Sequence, residues 1–490
     1  MKILKLCLER KCGLKMIGRK KEIDELDRLY NSKNAELVAV YGRRRIGKTY
    51  LINHYFNNNF AFKHTGLAPD ESSENNQLER QLMQFYSSLL YYGLPKNIKK
   101  PNDWFEAFDL LKILIESKNN GQRLVAFIDE LPWLDTKKSE FIKAFELFWN
   151  NYGCANDNLI LIICGSASSW LLNNLINNHG GLYGRVTYEI KLSPFSLMEC
   201  EELLKSNNVN YSRYDIVQAY MIFGGIPYYL NYINKAYSLA MNIDELFFKK
   251  GAIFKTEFDR LFASVFSNPL KIKEIVKLLY KNNLGLTRKE LIDKLSISDG
   301  GTLSKYLNSL IASDFVIKYT PFTFKKKEER YKLIDPFCIF FLTFAENNTN
   351  YNENYWSQNS TSQKLSSWRG YAYENVCFNH VKQVKFALGI SGVITEESAF
   401  YNKDDGYQID LIISRNDNII NLCEIKFYTG EYLLNKNSYL KIIDINNLLG
   451  EKISKRKVIH NTLITTYGIK RNEYSDVFTK VITLDDLFAF

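Results

Sequence analysis

The sequence predicts an α/β fold: a mostly parallel sheet first, a helical region after it, and a smaller α/β region at the end. Three observations carry this. Short apolar runs between 36 and 192 alternate with longer stretches of helical periodicity, the pattern of strands crossed over by helices and covered on both faces. Strand signals stop at Pro194, where successive helices begin. Strands return beyond 368 in a different order. With 46% apolar and 24% charged residues, each part can bury a core of its own. A chain of 490 residues suggests roughly three domains.

Taken in order, ELVAVYGRRRIGKTYL (36–51) reads as strand, glycine-bounded loop and helix start. FAFKHTG (60–66), RLVAFID (123–129), NLILIICGS (158–166) and RVTYEIKL (185–192) are the further strands of a core spanning 16–194. Residues 195–266 read as a helical lid interrupted at FGGIPYY. In 267–345, three helical stretches (KIKEIVKLLYKN, TRKELIDKL, GTLSKYLNSLIAS) precede a basic strand pair, the order of a winged helix. The polar segment 346–367 reads as a linker. Residues 368–490 give a helix, three or four strands, a helix near NSYLKIIDINNLL and two closing strands. No internal repeat is visible.

The formal charge is +10, of which residues 1–15 hold a net +4. That segment has no apolar core suited to a secretion signal, and Met16 directly precedes the first amphipathic helix, so Met16 is an expected start. No apolar run reaches 18 residues, which excludes a membrane-spanning helix. Eight scattered cysteines without a CxxC pair, with only five histidines, argue against zinc and for a reducing, cytoplasmic setting in which Cys164 and Cys423 are buried small hydrophobes.

GRRRIGKT matches GxxxxGK[ST] in full, the phosphate-binding loop. Gly42 and Gly47 let main-chain amides turn inward around a β-phosphate, and Arg45 belongs to the same nucleotide-binding set. Lys48 would reach the β- and γ-phosphates of ATP, and Thr49 would offer its hydroxyl to Mg²⁺. A lone match can be a glycine-rich turn. RLVAFIDE, ending a buried strand about 80 residues on, supplies the partner such a loop requires. Asp129 would hold Mg²⁺ and Glu130 would activate the attacking water. Ser166, expected between the loop strand and the Asp129 strand, would touch that water or the γ-phosphate, or else cap a helix.

The segments IGRKKEIDEL, GRRRIGKT, FIDELPWL, CGSASSW, GLYGR and FGGIPYY, in this order, resemble the archaeal-type ATPases, a group similar to AAA+ and STAND ATPases. The resemblance covers about residues 16–340. It implies that Ile17, Gly18 and Arg19 lie near the adenine, and that Gly225 and Pro227 close over the nucleotide. It also implies that Arg185 acts as an arginine finger between protomers of a homo-oligomer. Arg185 paired with a carboxylate at the sheet edge is the alternative.

The winged helix carries Lys318, Lys325, Lys326, Lys327, Arg330 and Lys332, enough to neutralise several DNA phosphates if they face one way. Glu328 and Glu329 dilute the patch, and a purely structural arm is the other reading.

At the C-terminal end, the hairpin YQIDLIISRNDNIINLCEIKF interrupts two apolar strands with charge. Strand period two puts Glu424 and Lys426 on one face, with Asp410 opposite or close. Clustered carboxylates usually find compensation in a divalent metal: Asp410 and Glu424 would bind Mg²⁺, Lys426 would position a water, and Glu374 would add an outer ligand. This is similar to the PD-(D/E)xK nucleases, of restriction-endonuclease-like fold, although no proline precedes Asp410. A solvated face bearing mixed charges is the alternative. The resulting expectation is an ATPase that couples nucleotide state to DNA binding or processing; an ATP-driven regulator with an inactive C-terminal scaffold competes with it.

Overall fold

A computed structural model describes residues 16–68, 76–166, 168–176, 181–182, 184–266, 268–295, 300–322, 329–346, 352–402, 407–451 and 453–490. Lys325, Lys326 and Lys327 lie outside the described residues. The chain divides into two compact units, Met1–Ser193 and Pro194–Phe490. No helix among the described residues is long and apolar enough to cross a membrane.

In the first unit, β1 (Glu36–Gly42), β2 (Phe62–Thr65), β3 (Leu124–Asp129), β4 (Leu159–Gly165) and β5 (Tyr188–Leu192) form one parallel sheet in the order β2-β3-β4-β1-β5. Their continuous apolar sequences suit strands covered on both faces, and β1, β3 and β4 are buried at every position. The helices Gln77–Tyr91, Trp104–Lys118 and Phe141–Asn151 bring Phe85, Trp104, Phe108, Phe141 and Phe145 into the core with Phe62 of β2. Each fully buried phenylalanine of this cluster contributes roughly 1.5–3 kcal/mol. Because the strands are parallel, β1, β4 and β3 end side by side at one edge, where loops meet.

The second unit begins with helices Leu197–Ser206, started by a Ser196–Glu199 capping box, and Arg213–Phe223, capped by Ser212. Further on, helices Pro269–Tyr280, Arg288–Leu295 and Gly301–Ala312 accompany an antiparallel sheet of β6 (Leu286–Thr287), β7 (Val316–Tyr319) and β8 (Arg330–Leu333), ordered β6-β8-β7. The two-residue β6 is too short to leave an alternating signal in sequence.

The stretch read as a linker differs from that expectation. Helix Tyr355–Asn359 forms within it, and helix Gln363–Asn379 starts before its end. The cause is one aromatic in a polar background: Trp356 is 4% exposed and packs on Phe340, Phe344 and Trp368 at ring distances of 5.2, 5.2 and 5.8 Å. Helix Val381–Ala387 follows, then β9 (Thr395–Asn402), β10 (Tyr407–Arg415), β11 (Ile419–Lys426), helix Lys436–Gly450, β12 (Val458–Thr465) and β13 (Lys480–Ile482). The sheet order is β13-β12-β11-β10-β9, antiparallel across β9, β10 and β11 and parallel beyond. Cys164 and Cys423 are fully buried free thiols.

Candidate functional site

The loop after β1 is shaped by backbone needs. Gly42 has φ 141°, and a Cβ there would sit 2.3 Å from the Leu192 carbonyl oxygen, so only glycine fits. Gly47 has φ 90°, and between them Arg45 takes the left-handed region at φ 72°. Helix Lys48–Tyr55 starts from Gly47 with no side-chain cap, which leaves its first amides available to an anion. Lys48 is buried, its ammonium donating to the carbonyls of Gly42 at 2.9 Å and Arg43 at 3.0 Å. Burial pulls the Lys48 pKa down, and the charges of Glu130 and Asp129 oppose that pull.

The end of β3 meets this loop. Thr49 Oγ1 donates to Asp129 Oδ2 at 2.7 Å, and Asp129 Oδ1 accepts the Glu130 amide at 3.0 Å. Glu130 itself sits at φ 47°, a turn that swings its carboxylate toward the end of β4. There Ser166 donates its amide to Oε2 at 3.0 Å, and its hydroxyl lies 2.7 and 2.8 Å from the two oxygens. Ser166 thus stands between the β1 and β3 ends, as its strand order requires, with its hydroxyl on Glu130. The Thr49 hydroxyl and the adjoining Asp129 carboxylate are hard oxygen donors of the kind that suit Mg²⁺.

Arg19 braces the loop. In the left-handed region at φ 58°, next to Gly18 at φ 62°, it donates to the Ser193 carbonyl at 2.7 Å and the Ile46 carbonyl at 3.1 Å. Ile17 is half-buried beside them. Arg185 is exposed just before β5 and makes no ion pair among the described residues, so the sheet-edge carboxylate partner is not found there. Gly225 and Pro227 belong to the second unit. Gly225 turns the chain at φ 66° against Phe195, whose amide donates to the Gly225 carbonyl at 2.8 Å, and Pro227 opens helix Pro227–Leu230.

A second polar centre lies in the second unit. Leu411 pairs with Cys423 across the β10–β11 hairpin, which puts Asp410 level with Glu424. A bulge on β10 between Ile409 and Ile412 falls at Asp410, the kind of irregularity that re-aims a side chain. Asp410 accepts from the Ile425 amide at 3.2 Å and from Gln408 at 3.1 Å, while Glu424 pairs with Lys426 at 2.6 Å. A cavity of about 530 Å³ is lined by Asp410, Lys426, Glu374, Arg369, Tyr371 and Lys332 among others. Burial, then the Asp410 charge, push Glu374 up to about 8. Asp410 is raised to about 6 by burial and by Glu424. Burial would lower Lys426, yet Glu424 and Asp410 outweigh it and hold its pKa above the ordinary value.

Two further observations concern the C-terminal carboxylates and the basic wing. Glu374, Asp410 and Glu424 are oxygen donors of the kind that suits a hard cation, and among the described residues they form no three-ligand His, Cys, Asp or Glu group. Glu424 pairs with Lys426, and Asp410 accepts from the Ile425 amide. The basic wing is also less available than its sequence suggests. Lys318 pairs with Glu329 at 2.9 Å and Arg330 with Glu290 at 3.5 Å, and Lys332 is buried at 7% exposure. Lys332, counted with the wing cations on sequence, is buried where helix Gln363–Asn379 packs on it through Tyr371 and Phe378.

Residues 16–233 match the family described as ATPase domain predominantly from Archaea. An uncharacterized protein of Methanocaldococcus jannaschii is 24% identical over 417 residues, spanning 84% of this chain and 87% of its own. An uncharacterized ATP-binding protein of the same organism is 45% identical over 42 residues, which are 9% of this chain and 71% of its own. A Walker-type ATPase of Pyrococcus abyssi is a structural neighbour with TM-score 0.44 and 19% identity, covering 67% of this chain and 96% of that one. Residues 16–233 are thus an ATPase domain of the family found predominantly in Archaea.

Proposed function

We propose that the first unit binds ATP with Mg²⁺ and hydrolyses it, using Glu130 as the base. The observation that carries this reading is the joined pair of contacts at the sheet edge: Thr49 on Asp129, and Glu130 clamped by Ser166. In this reading the amides of Gly42, Arg45 and Gly47 wrap the phosphates, Lys48 exchanges its loop carbonyls for β- and γ-phosphate oxygens, and Gly18 and Arg19 lie near the adenine. Thr49 and Asp129 would hold Mg²⁺, which when bound neutralises charge on the β- and γ-phosphates. Glu130 takes the proton of the attacking water, and its fixed carboxylate spares the reorganisation a free side chain would need. Arg185, exposed and without an ion pair among the described residues, is suited to reach the nucleotide of a neighbouring copy.

The same reading makes DNA the partner of the second unit. Its helices and three-stranded sheet at 269–333 follow the order of a winged helix, and the 368–490 region carries Asp410, Glu424 and Lys426 in the pattern of a PD-(D/E)xK nuclease. In a second version that region is a scaffold, with Glu424 held in an ion pair by Lys426, and ATP drives a switch.

Phosphate release from ATP by the wild type and by Glu130→Gln, followed by a plasmid-cleavage assay in Mg²⁺ and Mn²⁺ with and without ATP, tests both parts. Equal turnover in the two proteins removes Glu130 as base. Cleavage lost in Asp410→Ala selects the nuclease, and no cleavage by the wild type or by a variant that binds metal selects the switch.

A further inference from the structure

Lys332 departs from the usual habit of lysine, whose ammonium stays in water. It is 7% exposed and makes no hydrogen bond or ion pair among the described residues. Its ammonium lies 5.4 Å from the ring centre of Tyr371 and 5.1 Å from that of Phe378. Tyr371, Glu374 and Phe378 are spaced to share one face of helix Gln363–Asn379, so the two rings that hold the ammonium flank Glu374. Lys332, Glu374 and Asp410 line the same cavity. Burial lowers the Lys332 pKa, and the acidic groups that oppose this are Glu374 and Asp410.

A buried ammonium persists only beside compensating charge. Glu424 has Lys426 as its ion partner, and Lys426 also faces Asp410 and Glu374, so Lys332 brings a second cation to those two acidic groups. A divalent cation bound by those two carboxylates would face the lysine charge across the same cavity, and like charges in a low-dielectric site repel strongly.

We propose that Lys332 is a tethered counter-cation of the Glu374 and Asp410 carboxylates, and that a divalent metal ion binds there only when Lys332 withdraws. The proposal rests on reading 368–490 as a metal-dependent nuclease-like region, and it makes the 286–333 sheet the element that licenses the site.

The test uses the full chain without nucleotide, with Mn²⁺ as the probe and titration calorimetry as the readout. Lys332→Met keeps the stem and removes the charge; it is expected to bind one more Mn²⁺ than the wild type, or to bind it at least tenfold tighter. The gain is expected to vanish in Lys332→Met/Asp410→Asn and to be absent in Lys332→Arg. Identical Mn²⁺ binding by wild type and Lys332→Met overturns the proposal. Wild-type protein gives a measurement independent of any folding defect: acetylation of Lys332, followed by mass spectrometry, rises at saturating Mn²⁺ if the lysine is displaced, and a constant rate overturns the idea. Metal gain in Lys332→Met without DNA cleavage by any variant upholds the counter-cation while removing the nuclease reading.

Discussion

Ser166 and Glu130 close on each other at the ends of neighbouring strands, the serine hydroxyl 2.7 and 2.8 Å from the two carboxylate oxygens and its amide 3.0 Å from one of them. A carboxylate held this way points in one direction before any nucleotide arrives. Glu130→Gln is expected to slow ATP turnover about 100-fold or more, the usual cost of losing a general base, with ATP binding retained. Ser166→Ala frees the carboxylate without removing it, and about a tenfold fall in kcat at unchanged ATP affinity is expected. Wild-type kcat in Ser166→Ala would show that the clamp has no catalytic effect.

Lys48 and Gly42 separate binding from folding at the same loop. Lys48→Ala removes a buried cation that the phosphates need, so ATP affinity should drop by about 100-fold, consistent with two charge-assisted hydrogen bonds. Gly42→Ala forces a Cβ to within 2.3 Å of the Leu192 carbonyl at φ 141°. It should cost about 2 kcal/mol or more in urea unfolding of the full chain. An unchanged urea midpoint would mean that the loop yields easily.

Asp244 anchors the segment that sequence alone reads as a linker. It is 2% exposed and accepts from the Trp356 amide at 2.7 Å, the Ser357 amide at 3.1 Å and the Ser357 hydroxyl. Asp244→Ala leaves these donors without their acceptor, and a loss of about 2–4 kcal/mol is expected. Limited proteolysis should also begin to cut within 352–362 in the variant. Resistance equal to wild type would show that the aromatic packing of Trp356 holds the segment unaided.

His380 gives the second unit a pH dependence of known sign. Its Nε2 accepts the Leu197 amide at 3.0 Å while Nδ1 lies 2.8 Å from the Val376 carbonyl, an arrangement that needs the neutral ring. Burial, opposed by the Val376 bond, lowers its pKa to about 4. An unfolded histidine titrates near ~6.5, so between these values the unfolded chain binds more protons and folding weakens as pH falls. The contribution is fully present above pH ~6.5 and declines by up to about 3 kcal/mol on reaching pH ~4. Urea unfolding at pH 5 and pH 7 should show a larger difference in wild type than in His380→Gln; equal differences would exclude the histidine as the cause.

The sequence by itself determined what is local or periodic. Five apolar runs became the strands of the first sheet, GRRRIGKT became a loop whose glycines have no substitute at Gly42, and Asp129 and Glu130 ended a buried strand beside it. Hairpin register placed Asp410 level with Glu424, in keeping with a turn at 415–418. These features depend on residues close in the chain or on a pattern with a fixed repeat, so a linear string contains them.

Only the tertiary structure decided how distant residues share charge and volume. Ser166 grips Glu130 because the strand order brings residues 36 apart to one carboxylate. Lys332, counted with the wing cations on sequence, is a buried one because helix Gln363–Asn379 packs over it. Trp356 makes a docked helix of a polar stretch by inserting between Phe340, Phe344 and Trp368. In each case the deciding energy is desolvation, which depends on what covers a group, and the covering residues come from elsewhere in the chain.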